Sequence, residues 1–233
     1  MAGRSSEGPV TIVAVQGAWA DGSSWGPVIA PLQRRGLAVR AAPLPLTSLA
    51  DDVAALDRVL ERIDGPVVLA GHAYAGAVIA SARAEQVRSL VFIAALAPDE
   101  GETVLDVFQR AAPHPKAPQL APDRHGAIWL PDAAFPAAFA QHAPAESTAV
   151  LAAVQRPIHL PCIATPAGRP LWRDRPSWFL VAEEDRMIAA ETQRFMATRM
   201  GATLCTAPVD HTPMVSAPEV VAEIILEAVR ASA

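Results

Sequence analysis

Several features that would define a function class are scarce or missing in this sequence. It has only two cysteines, Cys162 and Cys205, too few for a disulfide framework or a cysteine metal cluster, and each is interpreted as a small buried side chain. No apolar run approaches the roughly 18 residues needed to cross a bilayer. The net charge of −5 offers no attraction to nucleic acid or an anionic membrane surface. No residue pattern indicates a metal or cofactor.

Signals for export are also missing. The polar segment 1–9 lacks the basic region, the apolar stretch and the cleavage site of a signal peptide. We therefore expect a cytoplasmic protein that acts on a small molecule rather than on a membrane or nucleic acid. Its oligomeric state is left open.

The composition describes one globular domain spanning 1–233. With 52% apolar and 18% charged residues, the chain has ample material for a large core. Apolar runs predict strands at 10–15, 37–42, 90–96, 177–181 and 203–207, with a further strand starting at Val67. Helical patterns at 27–35, from Ser48 to Ile63, at 190–200 and at 218–230 alternate with these strands. This alternation predicts a mostly parallel sheet with helices on both faces.

The segment from about 102 to 175 breaks that alternation. It is rich in proline and contains short helical patterns, including 133–140 and 145–154, but no strong strand. We interpret it as a cap inserted over the ends of the strands.

A strand, a glycine-bounded turn and a helix of small residues follow one another from Val67 to Ala80. This is the setting of the nucleophile elbow, G-x-S-x-G, which presents a serine at the top of an α/β-hydrolase sheet. Here the turn reads Gly71-His72-Ala73-Tyr74-Ala75, so alanine stands at the position of the attacking serine.

Two later residues fit the remaining members of a catalytic triad. In this fold the acid and then the base follow the nucleophile in the chain, each after a strand. Asp185 follows the strand at 177–181, and His211 follows the strand at 203–207. Glu183 and Glu184 compete with Asp185 for the acidic role. The order predicts an acid that orients the His211 imidazole and stabilises its charged form.

An oxyanion site would complete this arrangement. The amide of Tyr74, directly after the nucleophile position, would be one donor, and the amide of Ala18 or Trp19 in the loop after the first strand would be the other. Around them we expect an apolar pocket at the strand ends, with Gln16, Trp25 and Trp129 as further candidates for its wall.

Four segments together resemble a known group of proteins: 16–25, 71–76, 184–186 and 210–214. They are similar to small bacterial α/β-hydrolases related to plant methylesterases and hydroxynitrile lyases. The resemblance covers nearly the whole chain and implies the α/β-hydrolase fold with a small cap. It also favours Asp185 as the acid.

Three residues depart from the pattern of that group. Gln16 replaces a histidine, Ala73 replaces the serine and Ala75 replaces a glycine. Loss of a triad nucleophile typically lowers turnover by about a million-fold. Ser23 and Ser24 lie in another loop and are interpreted as turn and cap residues, and His72 as a structural residue under the elbow.

Three functions are compatible with this sequence. The first, which we favour, is a cofactor-free enzyme in which His211 and Asp185 carry out proton transfer of the lyase, cyclase or isomerase type on a mid-sized apolar molecule. Enzymes with this fold include hydroxynitrile lyases and cofactor-independent dioxygenases that rely on a His-Asp dyad. The support they give to the first function is an analogy between folds only. The second is a binding protein without catalysis. The third is a carboxylic ester hydrolase inactivated by a serine-to-alanine replacement at position 73.

Overall fold

Six parallel strands form the centre of the computed structural model, which describes residues 8–232. The strands of the chain are β1 (Thr11–Val15), β2 (Ala38–Ala42), β3 (Val67–His72), β4 (Val87–Ile93), β5 (Ala127–Ile128), β6 (Ile158–His159), β7 (Ser177–Ala182) and β8 (Thr203–Ala207). The main sheet has the order β2-β1-β3-β4-β7-β8, and β5 and β6 form a separate antiparallel pair. The predicted fold class, a mostly parallel sheet surrounded by helices, is confirmed.

The helices lie on both faces of the sheet. They are α1 (Gly26–Arg34), α2 (Leu49–Leu60), α3 (Ala75–Ala80), α4 (Val104–Phe108), α5 (Ala145–Val154), α6 (Leu160–Ala164), α7 (Ala190–Met200), α8 (Pro213–Ser216) and α9 (Pro218–Ser232). Successive side chains of a strand point to opposite faces. Accordingly, Ile12 and Ala14 pack with α1 and α9, whereas Val13 and Val15 pack with α2 and α3. No described helix is long and apolar enough to span a membrane.

Strand β4 differs most from its predicted range, and it begins at Val87, before the predicted start. The apolar run at 90–96 predicts a strand, but β4 ends at Ile93 because Ala94 has a φ of +44°. Ala95 and Leu96 are buried all the same, since they pack as a loop beneath α3. Their apolar character reflects burial in a loop and not an extended strand.

Residues 102–175 contain α4, α5 and α6, the β5–β6 pair and a π-helical turn at Phe135–Phe139. Helix α5 has the predicted bounds, whereas the pattern at 133–140 gives only the π-helical turn. Phe135 and Phe139 are fully buried in the same core as the sheet, so this segment packs directly on the strand ends.

Candidate active site

The turn between β3 and α3 has an alanine at its centre, in a conformation unusual for that residue. Ala73 has a φ of +49°, in the left-handed region that an alanine rarely adopts. Its carbonyl accepts hydrogen bonds from the amides of Gly76 at 3.1 Å and Leu96 at 2.9 Å. A side chain on Gly76 would lie 2.5 Å from the Leu96 carbonyl oxygen, so α3 packs in direct contact with the loop after β4. The turn is therefore strained at Ala73, and the side chain at its centre is a methyl group without a hydroxyl.

His211 and Asp185 meet where β8 and β7 end. The distance from His211 Nδ1 to Asp185 Oδ2 is 2.8 Å, and both side chains are buried. The other oxygen, Oδ1, accepts hydrogen bonds from the amides of Met187 at 2.7 Å and Ile188 at 2.9 Å. Gln193 of α7 donates to Oδ2 at 2.8 Å. These bonds hold the carboxylate in one orientation, so that Nδ1–H of the imidazole is directed at it, and Nε2 forms no hydrogen bond within residues 8–232.

The neighbouring acids have other partners. Glu183 forms an ion pair with Arg194, and Glu184 lies 3.0 Å from His142. Both carboxylates are partly exposed to solvent. Of the three acidic residues that follow β7, Asp185 is therefore the one that contacts His211.

His72 lies directly behind His211. It is fully buried, its Nε2–H donates to the His211 carbonyl oxygen at 2.7 Å, and the two ring centroids are 4.8 Å apart. Burial lowers the pKa of His72 well below 6.5, and the nearby His211 acts in the same direction. Phe139 of the π-helical turn packs against the rings of His211, at 5.3 Å, and His72, at 6.4 Å. The neutral His72 and the phenyl ring thus fix the position of the His211 imidazole.

Two residues beside His211 have backbone amides without a hydrogen-bond acceptor in the described part of the chain. Ala18 and Tyr74 both line the cavity beside His211, and their amides form no hydrogen bond within residues 8–232. Trp19, the alternative donor, is different. Its amide donates to the Arg156 carbonyl oxygen at 2.9 Å, and its indole Nε1 donates to Ile128 at 2.9 Å. The expected role of the Trp19 amide in an oxyanion site is therefore wrong, because that amide binds the cap.

A cavity of about 330 Å³ opens above these groups. Its floor is made by residues that follow the sheet strands, and its walls come from α4, α6 and the loops of the cap. Nearly all of the lining is apolar. The polar side chains are those of His211, Gln109 and Tyr74, together with the indole of Trp19, and the Tyr74 hydroxyl is already bound to Asp52. The cavity suits an apolar molecule with one polar group near His211.

The three residues expected in the pocket wall lie elsewhere. Trp25 is fully buried on the opposite face of the sheet, with α1 and α9, because it directly precedes α1, which packs on that face. Trp129 is 50% exposed on the surface. Gln16 is buried; with its amide oriented to satisfy its neighbours, it donates to Ala42 at 2.6 Å and accepts from Leu44 at 3.0 Å. None of the three lines the cavity.

Within residues 8–232, no serine, threonine or cysteine lines the cavity beside His211. Ser23 and Ser24 hydrogen-bond to Asp21 at the start of a short helix, as expected for turn residues. Cys162 is buried behind the cavity wall, and burial raises the pKa of its thiol to about 12. Cys205 lies on β8 and is likewise not part of the lining. No group of three or more His, Cys, Asp or Glu side chains in the described range is arranged to hold a metal ion.

Three residues of the site have no signature in the sequence. Gln193 orients Asp185, Phe139 covers His211, and Asp52 binds the Tyr74 hydroxyl at 2.7 Å. For Asp52 alone the sequence holds a weak signal, since this acidic residue lies on the otherwise apolar, buried face of α2.

Comparisons with known proteins agree with this fold. The model of the alpha/beta hydrolase family matches residues 12–224. No curated protein matches the sequence. Polyneuridine aldehyde esterase has a similar structure, with a TM-score of 0.83 and 18% identity over 94% of this chain and 99% of that one.

Two further solved structures are similar. The pyrethroid hydrolase from Sphingobium faniae JZ-2 has a TM-score of 0.80 and 21% identity, over 96% of this chain and 98% of that one. A variant of tomato methylketone synthase I, complexed with beta-ketoheptanoate, has a TM-score of 0.81 and 17% identity, over 97% of this chain and 100% of that one. At such identities the likeness shows the fold. The family match spans most of the sequence, and the chain belongs to the alpha/beta hydrolase family.

Proposed function

We propose that this chain is a cofactor-free enzyme that moves a proton on an apolar carbonyl compound, in a lyase, cyclase or isomerase reaction. The observation that carries the proposal is the buried contact between His211 and Asp185, placed at the floor of an apolar cavity where position 73 has a methyl group. The base and its orienting acid are present, and the residue that would form an acyl-enzyme is not.

The proton transfer follows from the hydrogen bonds of His211. Because Nδ1–H is directed at Asp185, the lone pair of Nε2 is free to accept a proton from the carbon next to a substrate carbonyl. The electron pair of the broken C–H bond moves onto the carbonyl oxygen, which becomes an enolate. The free amides of Ala18 and Tyr74 would stabilise that charge, and Asp185 would stabilise the imidazolium. Return of the proton to another atom, or loss of a leaving group, completes the reaction.

The substrate is expected to be mid-sized and mostly apolar. The cavity is small for a ligand site, and no lysine or arginine is among its lining residues. A structural neighbour, tomato methylketone synthase I, was solved with beta-ketoheptanoate, a compound whose carbon between two carbonyls is acidic. Compounds of this type, both as acids and as neutral ketones or esters, are suitable first probes.

Deuterium exchange tests the proposal without knowledge of the product. The protein is incubated in D₂O with 2-heptanone or ethyl beta-ketoheptanoate, and deuterium at the carbon next to the carbonyl is followed by mass spectrometry. Release of CO₂ from beta-ketoheptanoate is measured in parallel. We expect exchange above the buffer rate, and a loss of about 10²- to 10⁴-fold in His211→Ala. His125→Ala, at an exposed histidine in the cap, is the matched control. Equal rates in the wild type and His211→Ala would contradict the proposal.

Ester hydrolysis is the second candidate, and the retained elbow favours it. The φ of +49° at Ala73 is the conformation that would present a serine hydroxyl to the base. Ala73→Ser is therefore assayed with p-nitrophenyl butyrate. Strong turnover by this variant, together with no exchange by the wild type, would support an inactivated esterase. Tight ketone binding that His211→Ala leaves unchanged, without either activity, would support a binding protein.

A further inference from the structure

The buried carboxylate of Asp52 has no part in the proton transfer proposed above. Its Oδ1 accepts a hydrogen bond from the Leu46 amide at 2.7 Å, and its Oδ2 accepts one from the Tyr74 hydroxyl at 2.7 Å. The Cys162 thiol lies 3.6 Å from Oδ2. No lysine, arginine or histidine within residues 8–232 forms an ion pair with this fully buried group.

A carboxylate in this position is costly to keep. Removal from water without a cation strongly disfavours its charged form, and burial accordingly raises the pKa of Asp52. The group is retained in the fold through its hydrogen-bond donors, which come from separate parts of the chain. Leu46 lies before α2, Tyr74 belongs to the elbow, and Cys162 lies on α6. Asp52 therefore joins the core, the elbow and a wall of the cavity at one point.

The loop of Leu46 extends this connection to the cap. Leu46 has a φ of +62°, and its carbonyl accepts a hydrogen bond from the His159 amide at 3.0 Å. His159 directly precedes α6, whose residues Leu160 and Ile163 line the cavity. The amide that Asp52 binds and the carbonyl that holds the start of α6 thus belong to the same residue.

Tyr74 has two groups at opposite ends of the same residue. Its hydroxyl is held by Asp52, whereas its amide, in a residue that lines the cavity next to Ala73, has no acceptor in the described part of the chain. We infer that Asp52 is a positioning residue, which holds the Tyr74 amide in place for a substrate oxyanion and, through Leu46 and Cys162, fixes the α6 wall. The inference rests on the proposed function for what the amide does, but not for what Asp52 holds.

Kinetic measurements test whether Asp52 positions the Tyr74 amide. Asp52→Asn and Tyr74→Phe are each expected to lower kcat for deuterium exchange by about ten- to a hundredfold, the effect of a misplaced catalytic group, with KM changed less than about threefold. The double variant should be no slower than the slower single variant, because both remove one connection. Asp57→Asn, on the same helix but without contact to Tyr74, is the control. If the Asp52 and Tyr74 variants have a lower unfolding midpoint but an unchanged kcat for the folded fraction, Asp52 has a purely structural role and the inference is overturned.

A spectroscopic test is independent of activity. Tyr74 is the single tyrosine of the chain, so ¹⁵N-tyrosine labelling gives one amide signal, from the group in question. Asp52→Asn should move this signal, and Asp57→Asn should not. If the wild type shows no exchange, the proposed function fails, whereas a moved signal still supports the role of Asp52 in holding Tyr74. A signal that does not move overturns the inference whatever the activity.

Discussion

The imidazole Nδ1 of His211 lies 2.8 Å from Oδ2 of Asp185, and neither side chain is more than 3% exposed. Such a contact fixes one tautomer of the imidazole, with the proton on Nδ1 and the lone pair on Nε2. It also places a carboxylate where it stabilises the imidazolium formed when Nε2 accepts a proton. The proposed reaction requires both effects.

Asp185→Asn is expected to remove most of the activity without unfolding the protein. The asparagine has one acceptor oxygen in place of two, and its amide group favours the wrong tautomer of His211. By analogy with the same change in catalytic triads, the rate of deuterium exchange should fall by up to about 10⁴-fold, but no further than in His211→Ala. The neighbouring, half-exposed Glu184 gives the control Glu184→Gln. A rate in Asp185→Asn similar to that of the control would show that the pair has no catalytic role.

The fold and the edge of the sheet at which the candidate residues lie followed from the order of apolar runs along the chain, whereas the choice of Asp185 over Glu183 and Glu184 came from the resemblance. His211 and Asp185 could be placed because each comes directly after a strand, and parallel strands end at one edge of the sheet. That argument works for backbone positions. It does not give the face to which a side chain turns, so Trp25 was expected in the pocket but lies in the opposite core.

The remaining errors come from contacts between distant parts of the chain. The Trp19 amide is bound by Arg156, and the Tyr74 hydroxyl by Asp52, and no local pattern encodes either pair. Gln193 is similar: on α7 it has the sequence context of an ordinary surface helix, yet it is fully buried against Asp185. Such residues become visible only when the helices are packed on the sheet.

Gly76→Ala tests the close packing at the elbow. The added methyl carbon would lie 2.5 Å from the Leu96 carbonyl oxygen and 2.9 Å from the Ala95 side chain, so α3 or the loop after β4 must move. We expect a loss of about 1–3 kcal/mol in the free energy of unfolding, as for other overpacked cores, measured by urea denaturation. Gly168→Ala is the control, because an added carbon there would lie 3.6 Å from the Arg83 guanidinium, an ordinary contact, and Gly168 does not have a positive φ, so the free energy of unfolding should change little.

Ala73→Gly measures the strain that remains in the elbow. At a φ of +49° glycine avoids the steric cost that alanine has, on the order of 1–2 kcal/mol. Ala77→Gly, at a buried helical position on α3, provides the comparison, since there glycine brings no such relief. The free energy of unfolding should fall by about 1 kcal/mol less for Ala73→Gly than for Ala77→Gly. Equal losses would mean that the turn is relaxed in solution.

The buried His72 predicts how stability depends on pH. Its pKa in the folded protein is well below 6.5, so below pH 6.5 the unfolded chain binds a proton that folded His72 does not. Stability therefore falls as the pH drops below 6.5, by up to about 1.4 kcal/mol per pH unit for this group. His72→Gln keeps a donor for the His211 carbonyl but cannot titrate. It should be less stable at pH 8, and its stability should fall less steeply between pH 6.5 and 5. His125→Gln, at an exposed histidine, should keep the wild-type slope. A wild-type slope in His72→Gln would show that folding does not lower the pKa of His72.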